Sequence, residues 1–220
     1  MFLRAAIVGV AGLSAVALLS AQSQDDLSAH SSRATALYKD GKYADALRSF
    51  VLASESPDVA VALGARKGAV RAALRVGEFT LARRTASVLS QADSDVEALT
   101  LAGDAFWAAG FFDEADREYE RALALDSESP RARHGIARSL SSRSQLPEAL
   151  SEVERALDID PDDSDVRALQ GTVLERLNKF ADAARAYDDY ADLLPRRESA
   201  AITTARNRAA LLGQPTASEP

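Results

Sequence analysis

Five residues that tolerate a left-handed backbone, Gly41, Gly77, Gly110, Ser144 and Asn178, stand 36, 33, 34 and 34 positions apart, and each opens the same pattern. Two positions on comes a bulky apolar residue, Tyr43, Phe79, Phe112, Leu146 or Phe180. Three further on there is always alanine: Ala46, Ala82, Ala115, Ala149 and Ala183. Four later the side chain is large again at Phe50, Tyr119, Val153 and Tyr187, with Ala86 the exception. One such match would mean little in an alanine-rich chain. Five in register define a repeated supersecondary unit.

The clearest copy runs from Leu99 to Leu125. Leu99, Ala102, Gly103 and Phe106 fall at i, i+3, i+4 and i+7, which lines one side of a helix. Gly110 ends that helix, and Phe112, Ala115, Tyr119, Ala122 and Leu123 line a second one. The repeated alanine sits where a larger side chain would push two packed helices apart. Such a hairpin buries one face internally and leaves another apolar, so it needs neighbours on either side. Apolar runs with period two are scarce, which favours an all-helical chain.

Leu99-x2-Ala102-Gly103-x2-Phe106 with Ala115-x3-Tyr119, and Gly171 with Ala183-x3-Tyr187 and the closing Pro195, resemble the tetratricopeptide repeat. The resemblance spans Leu27 to Pro195. Pro161 closes a further copy, while Pro57 and Pro130 are slightly displaced. No copy keeps the family's first Trp, and the second, from Leu63 to Asp93, departs furthest, at Ala86. The resemblance implies an all-α, right-handed superhelical solenoid of about five repeats over residues 24–195. Residues 196–213 read as a capping helix, with Ala201, Ala205, Ala209 and Leu212 on one side, and residues 214–220 as a disordered tail.

The N-terminus carries a targeting signal. Arg4 precedes the uncharged run from Ala5 to Leu19, and Ala21-Gln22-Ser23 satisfies the small-x-small rule for cleavage after Ser23, with cleavage after Ala21 as second choice. Residues 1–23 are therefore expected to be a signal peptide, and the protein to be exported, periplasmic or secreted. The alternative is an uncleaved anchor through residues 5–21, short for a bilayer and interrupted by Gly9 and Gly12. The formal charge of −7 becomes −8 once Arg4 is removed, which argues against a nucleic-acid partner. With no cysteine there is no disulfide, thiolate metal site or thiol nucleophile.

Catalytic patterns are missing: there is no Gly-rich phosphate loop, no G-x-S-x-G elbow and no H-E-x-x-H. No cofactor or metal is expected. Asp158 to Asp165 imitates the start of a calcium loop, but Asp163 stands where the loop needs Gly and Leu169 where it needs Glu. An acidic turn, with Ser164 or Asp165 capping the next helix, is the better reading. His30 and His134 lie in different repeats without a ligand set. The acids of the second helices, such as Glu114, Asp116, Glu118 and Glu120, read as a solvated wall.

In the resembled family the first helices line a concave groove. Superposing the copies puts Tyr38, Lys39, Lys67, Arg71, Leu74, Arg75, Asp104, Trp107, Arg131, His134 and Arg138 on that lining. Over the whole lining, seven cations (Lys39, Lys67, Arg71, Arg75, Arg131, Arg138, Arg176) face four acids (Glu97, Asp104, Asp165, Glu175). A lining of about +3 in an acidic protein suits an acidic segment or a C-terminal carboxylate of another protein. Trp107, the only Trp, supplies an aromatic anchor beside the core residue Phe106. The Lys, Asn and Arg clamp of some family members is incomplete here, since its asparagines are missing, so chaperone-tail binding is not implied. The resulting expectation is a non-enzymatic adaptor of the bacterial cell envelope. The alternative is a self-associating structural protein without a groove ligand.

Overall fold

The computed structural model describes residues 26–91 and 95–213. The expected signal segment, residues 1–23, and the expected tail, residues 214–220, lie outside the described residues. All regular structure among the described residues is helical. Helix α1 covers residues 26–39. It is followed by α2 (Tyr43–Ala53), α3 (Val59–Val76), α4 (Phe79–Leu89), α5 (Val96–Ala108) and α6 (Phe112–Leu125). Then come α7 (Pro130–Ser142), α8 (Leu146–Ile159), α9 (Ser164–Arg176), α10 (Phe180–Leu193) and, after a single 3-10 turn at Arg196–Glu198, α11 (Ser199–Leu212). Among these described helices, none is long and apolar enough to cross a membrane.

The five turn residues behave as their types predict. Gly41, Gly77 and Gly110 have φ of 75°, 79° and 83°, and Ser144 and Asn178, at 63° and 58°, are the non-glycine residues with positive φ among those described. The helix starts are equally regular. Asp58, Asp95 and Asp163 accept hydrogen bonds from backbone N–H groups two or three residues on, and Ser129 accepts from Ala132, so orphan donors of α3, α5, α7 and α9 are satisfied. The cap of α9 is therefore Asp163, not Ser164 or Asp165. Its extended backbone (φ −70°, ψ 105°) aims the carboxylate at Asp165 and Val166 N–H.

Two compact units form: residues 26–91 with Ala105–Gly110, and residues 95–104 with 111–213. In the first, α2 packs on α3 and α3 on α4. In the second, consecutive helices from α6 to α11 pack one on the next. All five repeat alanines, Ala46, Ala82, Ala115, Ala149 and Ala183, are completely buried, as a close helix–helix approach requires. The first residues of the second helices are not: Phe79, Phe112 and Phe180 remain more than a third exposed, because they sit on the opening turn, at the rim of the hairpin.

Size is balanced around each repeat's large position. Tyr119 is completely buried, and a Cβ added to either Gly103 or Gly135 would overlap its ring; Gly68 leaves the same room for Phe50 and Gly171 for Tyr187. Gly103 and Gly171 lie seven residues before their turns and clear the ring of their own repeat. Gly68 and Gly135 lie nine before and clear the ring of the preceding one. Val153 instead packs with Ala137 and Leu169. At the divergent copy Ala86 and Val70 are both completely buried, so a larger first-helix side chain accompanies the smaller second-helix one. In α11, Ala205 and Ala209 are buried and Leu212 joins the cluster of Leu150, Val173 and Leu174.

Candidate partner-binding site

In the first unit the expected lining lies on α1 and α3, with Trp107 at the end of α5. Lys39 and Arg75 are exposed; Tyr38, Lys67, Arg71, Leu74 and Trp107 are half-buried. Tyr38 meets the edge of Tyr43 with ring centroids 5.0 Å apart, and the Arg75 guanidinium lies 5.7 Å over the Tyr43 ring. A cation held against an aromatic face is partly pre-ordered. Tyr43 was expected as packing alone. Two positions past a turn, it reaches both α1 and α3 side chains.

In the second unit Asp104, Arg131 and Arg138 converge, and the residue that organises them is Tyr119. Its hydroxyl donates to Asp104 Oδ1 at 2.8 Å and accepts from Arg138 Nη2 at 2.7 Å. The same Arg138 nitrogen reaches Asp104 Oδ1 at 3.1 Å, while Arg131 Nε and Nη2 both donate to Oδ2, at 3.1 and 2.7 Å. Burial above all, and then the Asp104 carboxylate, push the Tyr119 hydroxyl well above the usual phenol range, with Arg138 opposing. The phenol stays protonated and remains a donor. Sequence reading placed Tyr119 in the core on its ring and missed its polar tip. The signal was a tyrosine, in place of phenylalanine, in a fully buried slot, since a buried O–H requires a partner.

Asp104 thus serves inside the protein. Its side chain is 11% exposed and carries four donor contacts, so it fixes the arginines and does not project as a contact residue. Arg138 is 26% exposed and Arg131 54%. Arg131, held by Asp104 and also within the field of Asp165, is the member of the cluster that reaches the surface. His134, half-buried nearby, is held below the usual histidine range by burial first and by Arg138 second, against the pull of Asp104, Asp165 and Asp163. It adds a neutral imidazole.

Along the later repeats the lining charges are held by partners within the protein. Glu175 accepts from Arg208 Nε at 2.9 Å and from the Tyr187 hydroxyl at 3.2 Å, and Arg176 donates to the Ser141 carbonyl and to Ser144 Oγ. The acids of the second helices are also less solvated than expected. Glu118 is buried and paired with Arg121 at 2.6 Å, Asp116 accepts from Arg143 at 2.5 Å, and Arg133 joins Glu152 at 2.7 Å in a largely buried pair. The arrangement orders charges and presents a surface.

A tetratricopeptide repeat family model matches residues 106–173. No curated protein matches the chain in sequence. Solved structures do match in fold. A thermophilic TPR protein of Thermus thermophilus superposes with a TM-score of 0.72 at 15% identity, over 84% of this chain and 99% of that one. Yeast Tom70 gives 0.61 at 18% identity, over 83% of this chain and 39% of that one. YrrB, described as a TPR protein with an unusual peptide-binding site, gives 0.51 at 18% identity over 81% and 90%. Residues 106–173 thus match the tetratricopeptide repeat family, and the chain shares the helical fold of these TPR structures.

Proposed function

We propose that the protein is a non-enzymatic adaptor of the bacterial cell envelope, holding a segment of another protein on the first-helix faces of its repeats. The observation that carries this is Arg131: Asp104 fixes its guanidinium from two nitrogens while half of the side chain stays at the surface. A cation ordered in advance spares a complex part of the entropy that long side chains otherwise lose on binding. In the first unit Lys39, Lys67, Arg71 and Arg75 stand with Tyr38, Leu74 and Trp107, the mixture of cations and aromatics that anchors interfaces. An acidic segment or a C-terminal carboxylate is the partner this chemistry suits. The peptide-binding site ascribed to YrrB supports the reading by likeness of fold.

The N-terminal sequence supports the envelope part of this reading. Arg4, the apolar run Ala5–Leu19 and Ala21-Gln22-Ser23 support export to the periplasm or beyond, with residues 5–21 as a membrane anchor if uncleaved. Recovering the tagged full chain with its crosslinked partner from the native envelope tests both parts. Trp107→Ala with Arg71→Glu is expected to lose the partner, and N-terminal sequencing of the mature chain to start at Gln24. Retention of every partner by the double variant would contradict the first part, and a cytoplasmic chain starting at Met1 the second.

A further inference from the structure

The hydroxyl of Tyr119 is not needed for packing. Phe50 fills the room left by Gly68 with a plain ring, just as Tyr119 fills the room left by Gly103 and Gly135, so a phenylalanine would serve the core at residue 119. The Tyr119 oxygen instead enters the polar cluster of the second unit and divides the Asp104 carboxylate between two tasks. Oδ1 takes the Tyr119 hydroxyl at 2.8 Å and Arg138 Nη2 at 3.1 Å. Oδ2 is left to Arg131, which donates to it from both Nε and Nη2. A carboxylate turns readily about its last bond, so its plane is set only where its oxygens are held. The Tyr119 hydroxyl, carried on a completely buried ring, is a fixed hold.

That hold decides what Arg131 shows to solvent. A guanidinium carries its N–H donors in a planar fork, and Arg131 engages Asp104 along the Nε edge alone. Its Nη1 has no hydrogen-bond partner among the described residues, and the side chain is half exposed. The Nη1–Nη2 edge is therefore open, in one orientation, to a planar acceptor from outside. Net charge does not select that acceptor, because Asp104 and Asp165 both act on Arg131 already. Fork geometry does, and the two parallel oxygens of a carboxylate match it. We propose that Tyr119 is a positioning residue of the partner site: its hydroxyl holds Asp104 so that Arg131 presents its Nη1–Nη2 edge to one Asp or Glu carboxylate of the bound segment. The inference rests on the adaptor reading and adds the residue that sets its specificity.

Photocrosslinking of the full chain in the native envelope tests it, with the photoreactive side chain at Thr172. That residue is exposed on α9 and stands six positions before its turn, as Asp104 and Arg138 stand before theirs. With no other change, one partner adduct is expected. Tyr119→Phe keeps the ring and removes the hydroxyl, and Arg131→Lys, at a half-exposed position, keeps the charge and removes the fork. Each is expected to lower the adduct yield about fivefold or more, with circular dichroism showing both variants folded. In the purified chain the Arg131 Nε–H proton, followed by NMR well below the melting midpoint, is expected to exchange with water about tenfold faster in Tyr119→Phe than in wild type. A purely structural role for the hydroxyl would shift the midpoint and leave that exchange alone. No adduct from the chain changed only at Thr172 would overturn the adaptor reading and this inference with it. An adduct whose yield survives Tyr119→Phe or Arg131→Lys would overturn this inference alone, as would an unchanged Nε–H exchange.

Discussion

Asp104 and Arg138 hold the same position in successive repeats, six residues before their turns and 34 apart, and they meet with Arg138 Nη2 at 3.1 Å from Asp104 Oδ1. The repeat that makes the fold periodic also sets unlike charges side by side on adjacent first helices. Tyr119, rising from the second helix between them, closes the network.

Removing the shared acceptor should therefore cost more than removing one donor. Asp104→Ala leaves the buried Tyr119 hydroxyl and the Arg138 guanidinium without their acceptor, an expected loss of about 3 kcal/mol. Arg131→Ala should cost about 1 kcal/mol or less, because its half-exposed side chain is hydrated in the unfolded and folded states alike. Urea denaturation of the two variants checks the order.

Glycines of the same helix type should split by what faces them. Gly135→Ala forces a methyl into the Tyr119 ring, which two hydrogen bonds hold in place. Overpacking of roughly 1–3 kcal/mol then opposes a helix-propensity gain of about 1 kcal/mol, and the variant is expected to be less stable. A Cβ on Gly64, in the interior of α3, meets nothing within 4 Å, so Gly64→Ala should gain about 0.5–1 kcal/mol. Tyr119→Val should relieve the first substitution. Melting curves of the three variants decide it.

The turns offer a third contrast. Gly77 and Gly110 sit at positive φ, where a Cβ costs about 1–2 kcal/mol, and replacing either by Ala should cost that much. Ser144 already bears the strain, so Ser144→Gly should gain less than about 1 kcal/mol, offset by loss of the exposed Arg176 contact. Thermal midpoints of the single variants report both signs.

Much of this was legible in the sequence because it is periodic. Gly41 to Asn178 gave all five left-handed turns, and Ala46 to Ala183 all five close helix contacts, since each is a backbone requirement that few residue types meet. The pairing of Asp104 with Arg131 and Arg138 was not legible. All three were placed on one face by register, but register does not say which long side chains will turn toward each other and which toward water. Nor did it show that a glycine can clear either its own repeat's ring or its neighbour's. That depends on how successive hairpins lean, which Gly103 and Gly135 reveal only once packed.

Acid should weaken the second unit through His134. Its folded-state affinity for protons is below that of the unfolded chain, so the unfolded state binds more protons once the pH drops beneath about 6.5. The stabilisation is complete above that pH and is lost as pH falls through the lower, folded-state value. His134→Gln should flatten this part of the curve. Denaturant midpoints measured between pH 7 and 5 for both proteins test it.

The central claim, that first-helix faces hold a partner protein, is tested most directly by site-specific photocrosslinking in the native envelope. With the photoreactive side chain at Lys39 or Arg131, on first helices, one partner adduct of the same mass is expected. At Glu120, an exposed second-helix position, that adduct is expected to be missing. An adduct equally strong at Glu120, or none at either first-helix position, would contradict the account.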